Sequence, residues 1–147
     1  MKKTWLQIAF GSFTIFILDQ ILKNCADRYL RIPFQLTDGF SLRYEQNFGI
    51  AWSIPLPHLL IITLNIAILI TIPVYFSKLI DQKNPLAKLI LALFIGGALG
   101  NTYDRLARGF VIDFISVGWF PVFNLADSAL CIAIFLIFLF YGKIKRN

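Results

Sequence analysis

Four apolar segments, each long enough to cross a lipid bilayer, constrain the fold of this chain more than any other feature. Their positions predict helices over about 5–24, 58–76, 86–103 and 123–142. A helix rises about 1.5 Å per residue, so roughly 20 residues span the hydrocarbon core of a membrane. Hydrophobic residues make up 58% of the 147, against about 45–50% apolar residues in soluble domains. The sequence therefore predicts an all-α membrane protein, a four-transmembrane-helix bundle forming a single domain over residues 1–147.

The cations between these segments predict the orientation of the chain in the membrane. Four helices place both termini on one side, and that side carries eight cations: Lys2, Lys3, Lys78, Lys83, Lys88, Lys143, Lys145 and Arg146. The other side carries five on longer segments: Arg28, Arg31, Arg43, Arg105 and Arg108. Because cytoplasmic loops hold the excess of Lys and Arg, both termini are predicted to be cytoplasmic. The net charge of +6 then reflects topology, and no nucleic-acid partner is expected.

This orientation predicts two extracytoplasmic segments, about 25–57 and 104–122. Residues 40–54 in the first mix aromatic and β-branched residues with polar ones, a composition typical of strands. We therefore predict a small β-rich sheet or hairpin on the outer membrane surface. The aromatic residues of these segments are candidate lids over a site or, equally, interface anchors: Phe48, Trp52 and those within Trp119–Phe123.

Within the helices, several residues carry specific expectations. Gly96, Gly97 and Gly100 have the small-residue spacing that allows close helix packing. Asn65 is expected to hydrogen-bond a neighbouring helix, and Pro73 to end or kink the second helix. The two cysteines, Cys25 and Cys131, are too few for a disulfide scaffold and are expected to be packing residues.

Polar side chains concentrate between residues 96 and 127, beside two apolar segments. Such groups are unfavourable next to hydrocarbon, so they usually mark a functional site. Two carboxyl groups held close together have pKa values pushed apart, which suits one to act as an acid and the other as a base. Our hypothesis is that Asp113 and Asp127 form an aspartic-protease dyad, and the alternative is a structural polar cluster. Contact between them requires residues 111–117 to return along the membrane.

Two other pairs of charged residues leave alternatives open. Asp19 and Lys23 are four residues apart and share a helix face. They form either a local ion pair near the headgroups or an inward-facing group directed at the polar stretch. Asp104 and Arg105 are either a structural surface pair or, for Arg105, a contact to a substrate carbonyl or a loop.

Five sequence blocks, taken jointly, resemble bacterial lipoprotein signal peptidase, also called signal peptidase II. In chain order they are Asp19-x-x-x-Lys23, Asn47-x-Gly49-x-Ala51-Trp52, Gly96-Gly97-Ala98-Leu99-Gly100-Asn101-Thr102-Tyr103-Asp104-Arg105, Gly109-Phe110-Val111-Ile112-Asp113-Phe114 and Phe123-Asn124-Leu125-Ala126-Asp127. The resemblance extends to the four helices and their topology, and the joint pattern is specific although each block alone is not. Trp52 departs slightly from it, since phenylalanine is commoner at that position.

The resemblance implies an aspartic endopeptidase of the bacterial cytoplasmic (inner) membrane, with its active site at the extracytoplasmic face. Its substrates would be diacylglyceryl-modified prolipoproteins, cleaved just before the lipidated cysteine to remove the signal peptide. The catalytic residues become Asp113 and Asp127, and the supporting polar residues become Asp19, Lys23, Asn47, Asn101, Arg105 and Asn124. A monomer among membrane lipids, with no metal or other cofactor, is expected.

Three other classes of protein fit the sequence less well. A proton-coupled carrier usually has more helices, an internal repeat and polar groups near the membrane midplane. A non-enzymatic scaffold does not need five polar blocks in this order. A presenilin-like protease would match Tyr103-Asp104, but its Gly-x-Gly-Asp motif is absent from the sequence.

Overall fold

The computed structural model describes residues 2–49 and 56–146. The elements in chain order are α1 (Lys2–Tyr29), β1 (Phe34–Thr37), β2 (Phe40–Asn47), α2 (His58–Leu79), α3 (Pro85–Ala107), β3 (Val111–Val117) and α4 (Leu125–Ile144). In the described part of the chain, four helices are long and apolar enough to cross a membrane. The predicted multi-pass membrane fold, with four spans and a small sheet, is confirmed.

The helices differ from the predicted ranges mainly at their ends. α1 continues to Tyr29 and α3 to Ala107, in each case past the predicted boundary. Beyond its predicted end, α3 stays helical where Asp104 and Arg105 are buried, and α1 stays helical where Ala26 packs against Ile112 and Phe114 of the sheet. α4 begins at Leu125, one residue after its N-cap Asn124. Pro73 does not end α2, which runs on to Leu79, since a helix in a membrane tolerates one lost backbone hydrogen bond.

α3 lies at the centre of the bundle because its glycines let two helices approach closely. A Cβ atom at Gly96 would lie 2.7 Å from the carbonyl oxygen of Ser12 on α1, and one at Gly97 would lie 2.6 Å from that of Ala126 on α4. Real Cβ atoms essentially never come closer than 3.0 Å to such atoms. The predicted close packing of these glycines is therefore confirmed.

Two residue predictions within the helices are wrong. Asn65 Nδ2 is buried on α2 but has no hydrogen-bond partner among the described residues. α2 packs on α3, and this contact supplies no acceptor for Asn65 Nδ2 among the described residues. Cys25 and Cys131 are both exposed rather than packed inside the protein, and Cys131 lines a cleft.

The three strands form an antiparallel sheet in the order β1-β2-β3. The expected β-rich segment is confirmed for residues 40–47, and residues 50–54 of the predicted strand region lie outside the described residues. β1 and β3 were not predicted as strands, and β3 comes from the second of the two segments predicted to be extracytoplasmic. One face of the sheet packs on the C-terminal end of α1, through Ile112 and Phe114 against Ala26. The opposite face carries Asn47 and Asp113.

Candidate active site

The structure brings all eight site residues predicted from the sequence to one end of the bundle. The contributions are Asp19 and Lys23 from α1, Asn47 from β2, Asn101 and Arg105 from α3, Asp113 from β3, and Asn124 and Asp127 from the start of α4. They meet where α1 and α3 end and α4 begins. The strand β3, rather than an irregular return of the chain, carries Asp113 to this place.

Asn124 connects the two aspartates of the predicted dyad. Its side-chain nitrogen donates to Asp113 Oδ1 at 2.6 Å. Its backbone nitrogen donates to Asp127 Oδ2 at 3.2 Å, and its side-chain oxygen accepts from the Asp127 backbone nitrogen at 2.9 Å. This reciprocal arrangement is the capping box of α4, which satisfies backbone donors at a helix start. The helix cap therefore also fixes both carboxyl groups relative to each other.

Asn101 holds the second carboxyl group from the other side. Its side-chain nitrogen donates to Asp127 Oδ1 at 2.7 Å. Its side-chain oxygen accepts from Lys23 Nζ at 3.0 Å and from Asn124 Nδ2 at 3.2 Å. An ammonium group only donates hydrogen bonds, so Lys23 determines which way the Asn101 amide faces. The Asn101 nitrogen is left facing Asp127.

Asp113 is enclosed by amide groups and is only 2% exposed. Asn47 Nδ2 donates to Asp113 Oδ2 at 3.0 Å, while Asn124 occupies Oδ1. Burial, followed by the charge of Asp127, raises the pKa of Asp113 from 3.8 to about 7, against the opposing hydrogen bonds from Asn47 and Asn124. The raised pKa favours a protonated carboxyl group at this position, which is the condition for an acid–base pair that shares one proton.

A buried ion cluster lies directly behind these residues. Lys23 Nζ contacts Asp19 Oδ2 at 2.8 Å and Asp104 Oδ2 at 2.9 Å, with all three side chains fully buried. Asp19 Oδ1 also accepts from the Ala126 backbone nitrogen at 2.9 Å. The inward-facing alternative for Asp19 and Lys23 is therefore correct.

The reading of Asp104 and Arg105 as a surface pair is wrong. Asp104 is buried and bonds to Lys23 and Arg108, because Arg108 is four residues further along the same helix face. Arg108 also donates to Gln20 Oε1 at 3.0 Å. Sequence reasoning missed Gln20, Asp104 and Arg108 as members of the cluster, although the four-residue spacing of Asp104 and Arg108 was a usable signal.

Of the alternatives predicted for Arg105, the structure shows the contact with a loop. Its Nη2 atom donates to the carbonyl oxygen of Gly49 at 3.0 Å, and Nη1 donates to that of Asn101 at 3.4 Å. Arg105 Nε is buried without a hydrogen-bond partner among the described residues. The guanidinium therefore ties the chain after β2 to α3 and keeps one donor unused.

The two aspartates open onto one cleft of about 820 Å³. One wall is polar and comes from the sheet, and the other comes from the first turns of α4 and the segment 118–123. The lining includes Arg43, Glu45, Asn47, Asn101, Arg105, Asp113, Trp119, Phe120, Phe123, Asp127, Leu130, Cys131 and Ile132. Trp119 is 84% exposed at the rim. Phe48 is also exposed and packs on Phe110, with ring centroids 5.4 Å apart, whereas Trp52 lies outside the described residues. A lid or anchor role for these aromatic residues stays a prediction.

Comparison with known proteins assigns the chain to a family. The family model described as signal peptidase (SPase) II matches residues 12–142. This chain belongs to the signal peptidase II family. A lipoprotein signal peptidase of Syntrophomonas wolfei is 41% identical over 144 residues, covering 94% of this chain and 95% of that protein. One from Geobacter sulfurreducens is 40% identical over 136 residues, covering 82% of each.

A solved structure supports the same family at the level of the fold. It is described as a bacterial membrane enzyme, is 31% identical and superimposes with a TM-score of 0.80, covering 97% of this chain and 89% of that one. The signal peptidase II family consists of aspartic peptidases. The resemblance found in the five sequence blocks is thereby confirmed.

Proposed function

We propose that this chain removes signal peptides from prolipoproteins, with Asp113 and Asp127 as its catalytic pair. The observation that carries the proposal is that Asn124 holds both carboxyl groups. It donates to Asp113 Oδ1 at 2.6 Å and to Asp127 Oδ2 at 3.2 Å, and both aspartates line one cleft. Membership of the signal peptidase II family supports the reaction type. Two carboxyl groups that share a proton provide a base and an acid at one pH.

In the proposed reaction the ionised member of the pair removes a proton from the attacking water. The protonated member donates its proton toward the substrate carbonyl oxygen, and the departing amine is protonated when the tetrahedral intermediate breaks down. The titration belongs to the pair, so neither aspartate is assigned alone as the base. The raised pKa of Asp113, about 7, supports a pair that still holds one proton near neutral pH.

The remaining polar residues are proposed to keep this pair in position. Lys23 and Asn101 restrain Asp127, and Asn47 restrains Asp113. Arg105 lines the cleft, and its Nε atom has no hydrogen-bond partner among the described residues. Arg105 is therefore assigned to donate a hydrogen bond to a carbonyl oxygen of the substrate. Such restraint matters because a small misplacement of reacting groups slows catalysis strongly.

The substrate class is proposed from the place of the site at the ends of membrane-spanning helices. A diacylglyceryl group on the substrate cysteine keeps its acyl chains in the bilayer, where each buried CH₂ contributes about 0.8 kcal/mol. The bond just before that cysteine then lies at a fixed depth, the depth of Asp113 and Asp127. The excess of cations at the opposite end of the bundle supports an extracytoplasmic position for the site.

The test is a paired assay of one precursor with and without its diacylglyceryl group, in the same detergent. The purified chain is expected to cleave the lipid-modified form much faster, and Asp113→Asn and Asp127→Asn are expected to cleave at the background rate. Asp38→Asn, which removes an exposed carboxyl group in the β1–β2 turn, is the matched control. Near-normal cleavage by either dyad variant would remove that aspartate from the mechanism, and equal rates for both precursors would reject positioning by the lipid.

A further inference from the structure

Arg43 and Glu45 line the same cleft, but the proposed reaction does not use them. Arg43 Nη2 lies 3.2 Å from Glu45 Oε2, and each side chain is 45% exposed. Between them, Tyr44 points to the other face of the sheet, where it packs beside Ile112 and Phe114. The alternation of side chains along a strand therefore places the ion pair on the cleft side, together with Asn47.

The strand register places this pair next to the aspartates. Glu45 is paired with Asp113 across β2 and β3, and side chains directly opposite each other in an antiparallel pair have Cβ atoms about 4.5–5.5 Å apart. Arg43 lies two residues further along β2, roughly 7 Å beyond Glu45. The register of the ladder also shifts between Leu42 and Glu45, an irregularity of the kind that redirects side chains. The Arg43–Glu45 ion pair thus lines the part of the cleft that lies beyond the two aspartates along β2.

The two walls of the cleft differ in polarity. Leu130, Cys131 and Ile132 form the wall on α4, a helix apolar enough to span the membrane. The opposite wall on β2 carries the charged pair. A signal peptide and acyl chains are apolar, so they fit the α4 side. On the proposed function, the residues that follow the lipidated cysteine would leave the membrane on the side of the cleft formed by β2.

We propose that Arg43 and Glu45 form a subsite for the first residues after the lipid-modified cysteine, and that this subsite accepts side chains of either charge. This inference rests on the proposed function. Within the described residues, the contact between Arg43 and Glu45 uses one guanidinium nitrogen and one carboxylate oxygen, which leaves other donors for an acidic side chain and a second oxygen for a basic one. Because the two charges compensate each other, neither sign of substrate charge is repelled. An enzyme that processes varied precursors needs such tolerance.

The experiment measures charge preference with three precursors that share a signal peptide and a diacylglyceryl group. They carry Asp, Lys or Gln at both positions after the cysteine, and kcat/KM is measured at low ionic strength to limit screening. The informative quantity is the ratio of the Asp precursor to the Lys precursor, with the Gln precursor as the reference. This ratio does not depend on how much of a variant is folded.

Glu45→Gln is expected to raise the ratio by roughly two- to fivefold, and Arg43→Gln to lower it by a similar factor, the size typical of part-exposed charge contacts. Asp38→Asn and Arg28→Gln are matched controls, because both residues are exposed and neither lines the cleft. Ratios for the two cleft variants that equal those of the controls, or that move in the same direction, would overturn the subsite. Failure of the unsubstituted chain to cleave any of the three precursors would instead overturn the proposed function.

Discussion

Lys23 Nζ lies 3.0 Å from Asn101 Oδ1, and through this amide it determines which group faces Asp127. The same ammonium also bonds Asp19 and Asp104. All three of its hydrogen bonds are therefore used, one toward the cleft and two toward the buried ion cluster. A single side chain couples the stability of the helix bundle to the geometry of the proposed dyad.

Lys23→Met is expected to lower stability strongly, because it leaves Asp19 and Asp104 buried without their shared cation. Removing one partner of a buried ion pair costs about 3–5 kcal/mol. Arg31→Gln is the control, since it breaks the Arg31–Asp27 pair whose side chains are 62% and 43% exposed, and it should cost about 1 kcal/mol or less. Thermal unfolding in detergent measures both, and equal midpoints would contradict the structural role of Lys23.

Asp113 is expected to contribute a loss of stability as pH rises from about 4 to about 7. Burial and the charge of Asp127 raise the pKa of Asp113 from 3.8 to about 7, so the folded state binds the proton more tightly than the unfolded chain. The contribution is complete at low pH and is lost as pH rises through the folded value. Unfolding midpoints across this range should show a smaller slope for Asp113→Asn. An unchanged slope would mean that Asp113 is not protonated in the folded state.

The alkaline limb of the kcat/KM profile is expected to shift when Asn47 is removed. The Asn47 hydrogen bond opposes the rise in the pKa of Asp113, so Asn47→Ala should move the loss of activity to higher pH. Gln46→Ala is the control, because Gln46 is the exposed neighbour and bonds Tyr44 instead. A shift to lower pH in Asn47→Ala would contradict this assignment.

Gly100→Ala is expected to destabilise the bundle by about 1–3 kcal/mol through overpacking. The added Cβ would lie 2.5 Å from Asp19 Oδ2 and 3.2 Å from the Cβ atom of Ala126. Gly142→Ala provides the comparison, because nothing lies within 4 Å of its Cβ position. Thermal unfolding of both variants in the same detergent distinguishes a requirement for close packing from a general effect of glycine replacement.

The sheet is expected to lie on the extracytoplasmic side of the membrane. In a cysteine-free background, Asp38→Cys in the β1–β2 turn should react with a membrane-impermeant maleimide in whole cells. Lys83→Cys, in the basic segment between α2 and α3, should react only after the membrane is opened. The reverse pattern would place the proposed dyad on the cytoplasmic side and contradict the processing of exported proteins.

The four helices were predictable from the sequence because each leaves a local signal, and the proposed dyad leaves one as well. Apolar length predicts a membrane span directly, and polar residues beside such spans indicate a site. The joint order of the sequence blocks then singled out Asp113 and Asp127. The predicted helix ends fell short because the last turns of α1 and α3 are polar, and a sequence pattern does not show that Ala26 packs on the sheet or that Asp104 and Arg105 are buried.

Other features depend on partners that are distant in sequence. β3 is apolar except for Asp113 and Ser116, so its pattern does not reveal a strand until β2 supplies the pairing at Glu45 and Asn47. Asp104 was expected to pair with the adjacent Arg105. It forms an ion pair with Lys23 instead, which lies far from it in the sequence. Asn65 was expected to bond a neighbouring helix, but its Nδ2 atom has no partner in the described part of the chain.

The capping box at Asn124 also determines when, during synthesis of the chain, the proposed catalytic pair is assembled. Asn124 and Asp127 open α4, the last of the described helices to leave the ribosome. Until that helix forms, Asp113 lacks both its Asn124 donor and its partner carboxyl group. On the proposed mechanism, a nascent chain that has inserted only its first three helices has no hydrolytic activity. Formation of α4 is therefore the step that completes the proposed catalytic pair.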